Sequence, residues 1–186
     1  MRKLTVFNNV SLDGYFTDKN SDMNWAKAGN DDEFNDFTAS NASGGGTLVF
    51  GRVTYDLMAN FWPTPMAAKM MPEVAAGMNR SPKIVFSRTM SEASWSNTTV
   101  IKGELISEVR KLKSQSGPGM VILGSGSIIA QLAPAGLIDQ YQIVLCPVAL
   151  GAGRTIFQGV NHLLGFKLAN SRIFKNGKVF LSYEPA

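Results

Sequence analysis

A buried strand that runs through glycines into a helix is the segment that most constrains the fold of this chain. The four apolar residues Met120–Leu123 are bounded by glycine on both sides, which is typical of a strand inside a sheet, and helical spacing of apolar residues resumes over 128–132. Gly124 and Gly126 let backbone approach a ligand closely, and a helix start favours phosphate. The segment predicts a pyrophosphate cradle, or else a purely structural turn, since Ile129 stands where the dinucleotide fingerprint has its third glycine.

Strands that are followed by helices also occur before this segment, whereas the strands after it follow one another without helices. Two long apolar strands near the C-terminus flank Asn176-Gly177, the strongest short signal for a hairpin. We expect an α/β fold: a mostly parallel central sheet, antiparallel C-terminal strands and helices on both faces, in a single domain over 1–186. Strands are predicted at 4–10, 47–50, 83–88, 98–101, 120–123, 140–148, 166–174 and 178–183, and helices near 30–37, after 51, at 104–114 and after 124. The methionine-rich segment 66–78 contains Pro72 and cannot be one regular helix.

Composition excludes several classes of site. The net charge of +4 comes without a run of Lys or Arg, which fits a small polyanionic ligand better than a nucleic acid. Cys146 is the only cysteine and His162 the only histidine, so we predict no disulfide within the chain and no metal site, and we expect a buried thiol at Cys146. The N-terminus lacks a signal-peptide pattern and no apolar stretch could span a membrane, so we expect a cytoplasmic protein.

Polar and glycine residues end three of the predicted strands in a similar way. The three segments are Gly51-Arg52-Val53-Thr54, Ser87-Arg88 and Gly124-Ser125-Gly126-Ser127. In parallel βα units these lie at the carboxyl ends of strands, where α/β sheets bind ligands. A guanidinium forks onto phosphate oxygens and a neighbouring hydroxyl adds a hydrogen bond, so the three segments predict one phosphate-binding edge.

The order and spacing of four segments carry a resemblance to a known family. They are Ser11-Leu12-Asp13-Gly14, Leu48 to Tyr55, Lys83 to Arg88 and Val121 to Ile128. Together they resemble the dihydrofolate reductase superfamily, and more closely its branch related to the C-terminal reductase domain of the bifunctional riboflavin-biosynthesis protein. The resemblance covers essentially the whole chain and implies a three-layer dihydrofolate reductase-like fold with NADPH as hydride donor.

The resemblance also assigns cofactor contacts to residues of this chain. It implies that the 2′-phosphate is held by Ser87 and Arg88, and a second phosphate site by Gly51, Arg52, Val53 and Thr54. The pyrophosphate contacts would be Gly124, Ser125, Gly126, Ser127 and Ile128, and the nicotinamide side would be covered by Val10, Gly14 and Tyr15.

Substrate and proton donor are less constrained by the sequence. We expect a flat substrate among Asn9, Trp25, Phe34, Tyr55, Phe61 and Trp62, with Trp25 either a core residue or a wall of the pocket. Asp13 is the predicted catalytic acid, although an Asp before Gly also stabilises its own turn. The acidic residues Asp31, Asp32, Glu33 and Asp36 are expected to complement a helix N-terminus.

Three functions remain open from the sequence. The leading one is an NADPH-dependent reductase of a small heteroaromatic compound, pterin- or pyrimidine-like. The second is the riboflavin-pathway reduction of a ribosylamino-pyrimidine phosphate, without the paired deaminase, whose His/Cys zinc site this chain lacks. The third is a dinucleotide-binding or ligand-sensing module without turnover. We expect a homodimer, because the apolar strand 140–148 and the C-terminal hairpin offer more β surface than one small sheet needs.

Overall fold

An eight-stranded sheet forms the centre of the fold, seen in a computed structural model that describes residues 1–27 and 31–186. Its strand order is β5-β4-β3-β6-β1-β7-β10-β9. The ten strands are β1 Leu4–Ser11, β2 Tyr15–Asp18, β3 Thr47–Gly51, β4 Lys83–Phe86, β5 Thr98–Ile101, β6 Met120–Leu123, β7 Gln140–Cys146, β8 Gly153–Thr155, β9 Phe166–Ile173 and β10 Val179–Pro185. The six α-helices are α1 Asp32–Ser43, α2 Arg52–Ala59, α3 Pro65–Met70, α4 Pro72–Arg80, α5 Leu105–Ser114 and α6 Gly126–Leu132.

The sheet is parallel from β5 through β7 and antiparallel beyond, as the sequence predicted. β1 lies between β6 and β7, with Leu4 opposite Met120 and Thr5 opposite Gln140. The predicted hairpin at Asn176-Gly177 joins β9 to β10, and Gly177 adopts the left-handed φ of +81° that this turn requires.

Alternate residues of each central strand face opposite layers of helices. In β3, Val49 packs with α5 and α6, whereas Phe50 packs with residues of α2 and α4. A third cluster contains Phe34 from α1 and Phe180 from β10. Helices therefore lie on both faces of the sheet, and the α/β class with antiparallel C-terminal strands is confirmed.

A second sheet of two strands lies outside the predicted pattern. β2 and β8 pair antiparallel, although the predicted strands include neither segment. Gly153 makes the pairing possible, because a Cβ there would come within 1.9 Å of the Thr17 carbonyl oxygen. Both strands are short, with four and three residues, which is why periodicity did not reveal them.

The structure also bears on the predictions for the methionine-rich segment, for Cys146 and for the dimer surface. The methionine-rich segment divides into α3 and α4 at Met71, just before Pro72. Cys146 is 1% exposed, and its burial raises the pKa of the thiol. Of the two parts of the predicted dimer surface, β7 is paired on both edges, whereas β9 of the C-terminal hairpin is an exposed edge strand; the homodimer stays a prediction.

Within the described residues, no helix combines the length and apolar character needed to cross a membrane.

Candidate functional site

A groove of about 830 Å³ runs along the carboxyl ends of β3, β4 and β6. This is the edge at which parallel α/β sheets bind ligands, and the volume lies in the range of small-molecule sites. Ten of the residues predicted to bind a cofactor line it: Gly51, Arg52, Val53, Thr54, Ser87, Arg88, Ser125, Gly126, Ser127 and Ile128. The three strand ends that the sequence singled out thus meet in one place.

Hydrogen bonds tie the ends of β3 and β6 together on the groove floor. Ser125 Oγ accepts from the Gly51 amide at 3.0 Å, and the Ser125 amide donates to Thr54 Oγ1 at 3.1 Å. Ser125 has a φ of +54°, a left-handed conformation uncommon for serine. These bonds hold the first turns of α2 and α6 side by side.

The glycines of the β6–α6 turn are required by packing as well as by any ligand. A Cβ on Gly124 would lie 2.9 Å from Thr54 Cγ2, and one on Gly126 would lie 2.8 Å from Phe16 Cε1. The predicted reason for Gly126 was space for a pyrophosphate; the structure shows that its missing side chain lets Phe16 of β2 approach α6. Gly124 does not line the groove, but the four residues that follow it do.

Two arginines stand on the rim formed by β3 and β4. Arg52 Nε donates to Asp56 at 2.8 Å and Nη1 donates to Thr89 at 3.3 Å, which leaves other N–H donors of the guanidinium for a ligand. Both side chains of the Arg52–Asp56 pair are 46% exposed, so the pair contributes little stability. Arg88 is exposed, and within 1–27 and 31–186 it pairs with no carboxylate.

The small sheet adds a wall to the groove that the sequence did not predict. Phe16 and Thr17 of β2 contribute to this wall, together with Arg154 and Thr155 of β8. Gly153-Arg154-Thr155 repeats the glycine, arginine and threonine types of the β3 end, a signal that the three predicted phosphate-binding segments did not include. Further lining residues are Ser21, Met23, Leu57, Phe86, Ile101, Gly103, Glu104, Leu105, Gln131 and Gln158.

Asp13 joins two loops and does not line the groove. Its carboxylate accepts from Ser11 Oγ at 2.6 Å and from the amides of Leu150 and Gly151, the latter at 2.7 Å. The Ser11 hydrogen bond, followed by that of Gly151, holds the pKa of Asp13 down at about 2. A group ionised at neutral pH with its oxygens occupied is a poor acid, so the geometry favours the turn-forming role among the two predicted for Asp13.

The residues predicted to cover the nicotinamide side lie beside this turn. Val10 is buried in the core, and the Tyr15 amide donates to Ser11 Oγ at 3.0 Å. Gly14 has a φ of +89°, which the turn requires. None of the three lines the groove as the structure describes it.

Two predicted substrate contacts are core residues instead. Tyr55 is 1% exposed and its hydroxyl accepts from the Trp95 amide at 2.9 Å, because it lies on the inner face of α2. Phe34 is 8% exposed and packs edge-on against Phe174 at 5.1 Å. The outer face of α2 carries Val53, which is 68% exposed at the groove.

The other predicted substrate contacts lie away from the groove. Trp25 is half-buried and packs against the Phe34 cluster, away from the groove. Phe61 and Trp62 pack edge-on at 5.0 Å at the end of α2. Asn9 Oδ1 lies 3.9 Å from Cys146 Sγ. Among the described residues none of these four lines the groove.

Two of the carboxylates, Asp31 and Glu104, accept hydrogen bonds from backbone amides at the starts of helices. Asp31 caps α1, accepting from Phe34 N, as predicted for this acidic cluster; its neighbour Asn30 lies outside the described residues. Glu104 is the one carboxylate among the described lining residues, and it caps α5 by accepting from the Ile106 and Ser107 amides. Over 1–27 and 31–186 no cluster of His, Cys, Asp or Glu could hold a metal ion.

Known proteins share this architecture over its full length. The chain is 30% identical over 174 residues to the uncharacterized protein YyaP of Bacillus subtilis, covering 94% of this chain and 90% of that one. A crystal structure of a putative riboflavin biosynthesis protein from Shewanella sp. PV-4 matches with a TM-score of 0.73 and 24% identity over 99% of both chains. Dihydrofolate reductase from Enterococcus faecalis, complexed with NADP(H), matches with a TM-score of 0.65 and 14% identity over 98% of this chain and 96% of that one.

The structural matches show a dihydrofolate reductase-like fold, and a family model identifies the family to which the chain belongs. The model of the RibD C-terminal domain matches residues 2–180, nearly the whole chain. The predicted resemblance is confirmed: the chain belongs to the RibD C-terminal domain family.

Proposed function

We propose that the chain is a reductase that uses NADPH to reduce a small heteroaromatic substrate of the pterin or pyrimidine kind. The groove carries this proposal, because one continuous surface combines Arg52, Arg88 and the first turn of α6. Dinucleotides need phosphate donors at more than one point along an extended cleft, and three neighbouring strand ends supply them. The solved dihydrofolate reductase with the same fold is complexed with NADP(H), which supports the choice of cofactor.

Residues of the groove fit the phosphates of such a cofactor. Ser87 and Arg88 would hold the 2′-phosphate, since a hydroxyl beside an unpaired guanidinium binds a doubly charged oxyanion well. Arg52 and the backbone of Gly126 and Ser127 would hold the diphosphate. When bound, NADPH supplies the hydride; the protein supplies orientation and excludes water.

The groove also offers apolar surface for a flat ring. Val53 and Leu57 stand four residues apart on the outer face of α2, 68% and 47% exposed, and both line the groove with Met23. The one lining carboxylate in the described residues, Glu104, is engaged in capping α5. We therefore propose that the proton which completes the reduction comes from water.

Cofactor titration tests the first part of this proposal. We expect Arg88→Ala to weaken NADPH binding roughly tenfold or more and NADH binding much less, because each charge-assisted hydrogen bond is worth about 1.5–3 kcal/mol and NADH lacks the 2′-phosphate. Arg80→Ala, which removes an exposed arginine at the end of α4, is the matched control. Equal losses for both cofactors would show that Arg88 does not bind the 2′-phosphate.

Turnover tests the second part. A panel of pterins, pyrimidines and other heteroaromatic carbonyls and imines, followed by loss of NADPH absorbance, should yield at least one substrate. Tight NADPH binding without turnover across this panel would contradict an enzyme and favour the ligand-sensing module.

A further inference from the structure

A third arginine faces the groove from the small sheet. Arg154 lies in the middle of β8, its side chain is exposed, and it lines the groove together with Gly126 and Ser127. Within 1–27 and 31–186 it pairs with no carboxylate, a property that it shares with Arg88 among the arginines of the groove. An unpaired guanidinium in a cleft is a candidate for binding an anion.

The backbone that carries Arg154 is anchored on both sides. Upstream, Asp13 accepts from the Leu150 and Gly151 amides. Within β8, Gly153 packs so closely on Thr17 that no other residue fits there, and Arg154 itself is the register partner of Thr17. The guanidinium is thus presented from a fixed strand, so little backbone entropy is lost when a ligand binds.

β8 also lies directly over the start of α6. A Cβ at Gly126 would meet Phe16 of β2 at 2.8 Å and the Thr155 carbonyl oxygen at 3.4 Å. Arg154 therefore stands next to the turn whose amides we assign to the diphosphate. Arg52 lies on the α2 side of the same turn. It stands between Gly51 and Thr54 in the chain, and both of these hydrogen-bond to Ser125 of the turn.

We propose that Arg154 contacts the cofactor's diphosphate from the small-sheet side, opposite Arg52, and so belongs to the cofactor site. This inference rests on the proposed function, because it assumes a dinucleotide in the groove. The same guanidinium could bind an anionic group of the substrate; the contact of β8 with the first turn of α6 favours the diphosphate.

Titrations with three nucleotides test the assignment. The ligands are NADPH, NADH and adenosine 2′-monophosphate, which carries a 2′-phosphate but neither phosphate of the diphosphate. We expect Arg154→Ala to weaken NADPH and NADH by the same factor, roughly tenfold or more, and to leave adenosine 2′-monophosphate within about twofold. Arg88→Ala should show the opposite pattern, with a loss for NADPH and adenosine 2′-monophosphate only, and Arg80→Ala should change none of the three.

The outcomes separate this inference from the function on which it rests. If the unmodified protein binds neither NADPH nor NADH, the proposed function is wrong and the inference with it. If it binds both and Arg154→Ala binds them equally well, only the inference is wrong. A raised KM for an anionic substrate with unchanged cofactor affinity would assign Arg154 to the substrate and overturn the diphosphate contact. Because the Arg154 side chain is exposed, the variant should unfold at the same temperature as the unmodified chain.

Discussion

The cationic side chains of the groove and those of the core differ in how many hydrogen-bond partners the protein gives them. Lys83, at the start of β4, is 1% exposed, and its ammonium donates to the carbonyls of Asn79, Ser81 and Ser96 at 3.1, 2.7 and 3.1 Å. It also lies 4.4 Å from the centre of the Trp95 ring. The groove arginines have few protein partners or none, so the core completes its own charges and the groove leaves charges for a ligand.

Lys178 repeats the core pattern on the same face of the sheet, nearer its β9 edge. It is 3% exposed, donates to the Ala26 carbonyl at 2.8 Å and lies 4.1 Å from the centre of the Phe34 ring. Burial lowers the pKa of both lysines, that of Lys83 to about 8. A positive charge alone therefore does not indicate a binding site in this protein; a charge left without protein partners does.

The contact between α6 and the small sheet is the most sensitive point of the groove. We expect Gly126→Val to weaken NADPH binding by at least about 100-fold and to lower the free energy of unfolding by about 1–3 kcal/mol, because the new side chain would collide with Phe16 and displace the wall that carries Arg154. Titration and urea denaturation of one sample measure both effects.

A valine in an open position provides the control for this variant. Ala76→Val on α4, where the side chain is exposed, should change neither quantity beyond experimental error. Unchanged NADPH affinity in Gly126→Val would show that neither the β6–α6 turn nor the small sheet contributes to NADPH binding.

Exchanging a cation in each region tests the comparison directly. Lys83→Met should cost about 1–3 kcal/mol of unfolding free energy, since it leaves buried carbonyls without their donor. Arg88→Met should change stability by less than about 0.5 kcal/mol while it weakens NADPH binding. Urea denaturation at neutral pH measures both; similar stability losses would contradict the distinction between core and groove cations.

The pH dependence of the free energy of unfolding tests the lowered pKa of Lys83 independently. Between its folded pKa of about 8 and the ordinary value of 10.5, the unfolded chain binds more protons than the folded one, so stability should rise with pH in this range by roughly 1–2 kcal/mol. The trend should reverse above pH 10, because burial raises the pKa of Tyr141 to about 12 and only the unfolded tyrosine ionises there. Lys83→Met should lose most of the rise.

The smallest effect is expected at Asp13. Its pKa of about 2 keeps it ionised at every pH of a normal assay, so Asp13→Asn should retain the pH profile of hydride transfer and lose no more than a few-fold in rate. Stopped-flow loss of NADPH absorbance with any substrate from the panel isolates this step. A loss of roughly 100-fold or more, together with a missing acid limb, would restore Asp13 as the proton donor.

Sequence reasoning was most accurate where local chemistry determines the structure. Four successive apolar residues before a glycine mark β6, and Asn176-Gly177 admits few alternatives to a hairpin. The strand ends with Arg52 and Arg88 meet because parallel strands share a carboxyl edge. Ten of the residues that line the groove follow from these local rules.

What sequence could not give is which side of an element faces the groove. Tyr55 and Val53 are both apolar residues near the start of α2, yet Tyr55 is in the core and Val53 is at the groove. That choice depends on how α2 packs against Trp95, forty residues away. Arg154 was missed for the same reason, because β8 becomes a wall only through its pairing with β2.

The position of β1 in the sheet has a consequence for the order in which the chain can fold. β1 leaves the ribosome well before either of its neighbours, which begin at Met120 and Gln140. Until those segments are synthesised, an apolar strand with both edges unpaired must remain exposed or be covered by something else. Among the strands of the eight-stranded sheet, β1 thus waits longest for its partners during synthesis, and a chain stopped before residue 140 would keep one edge of it open.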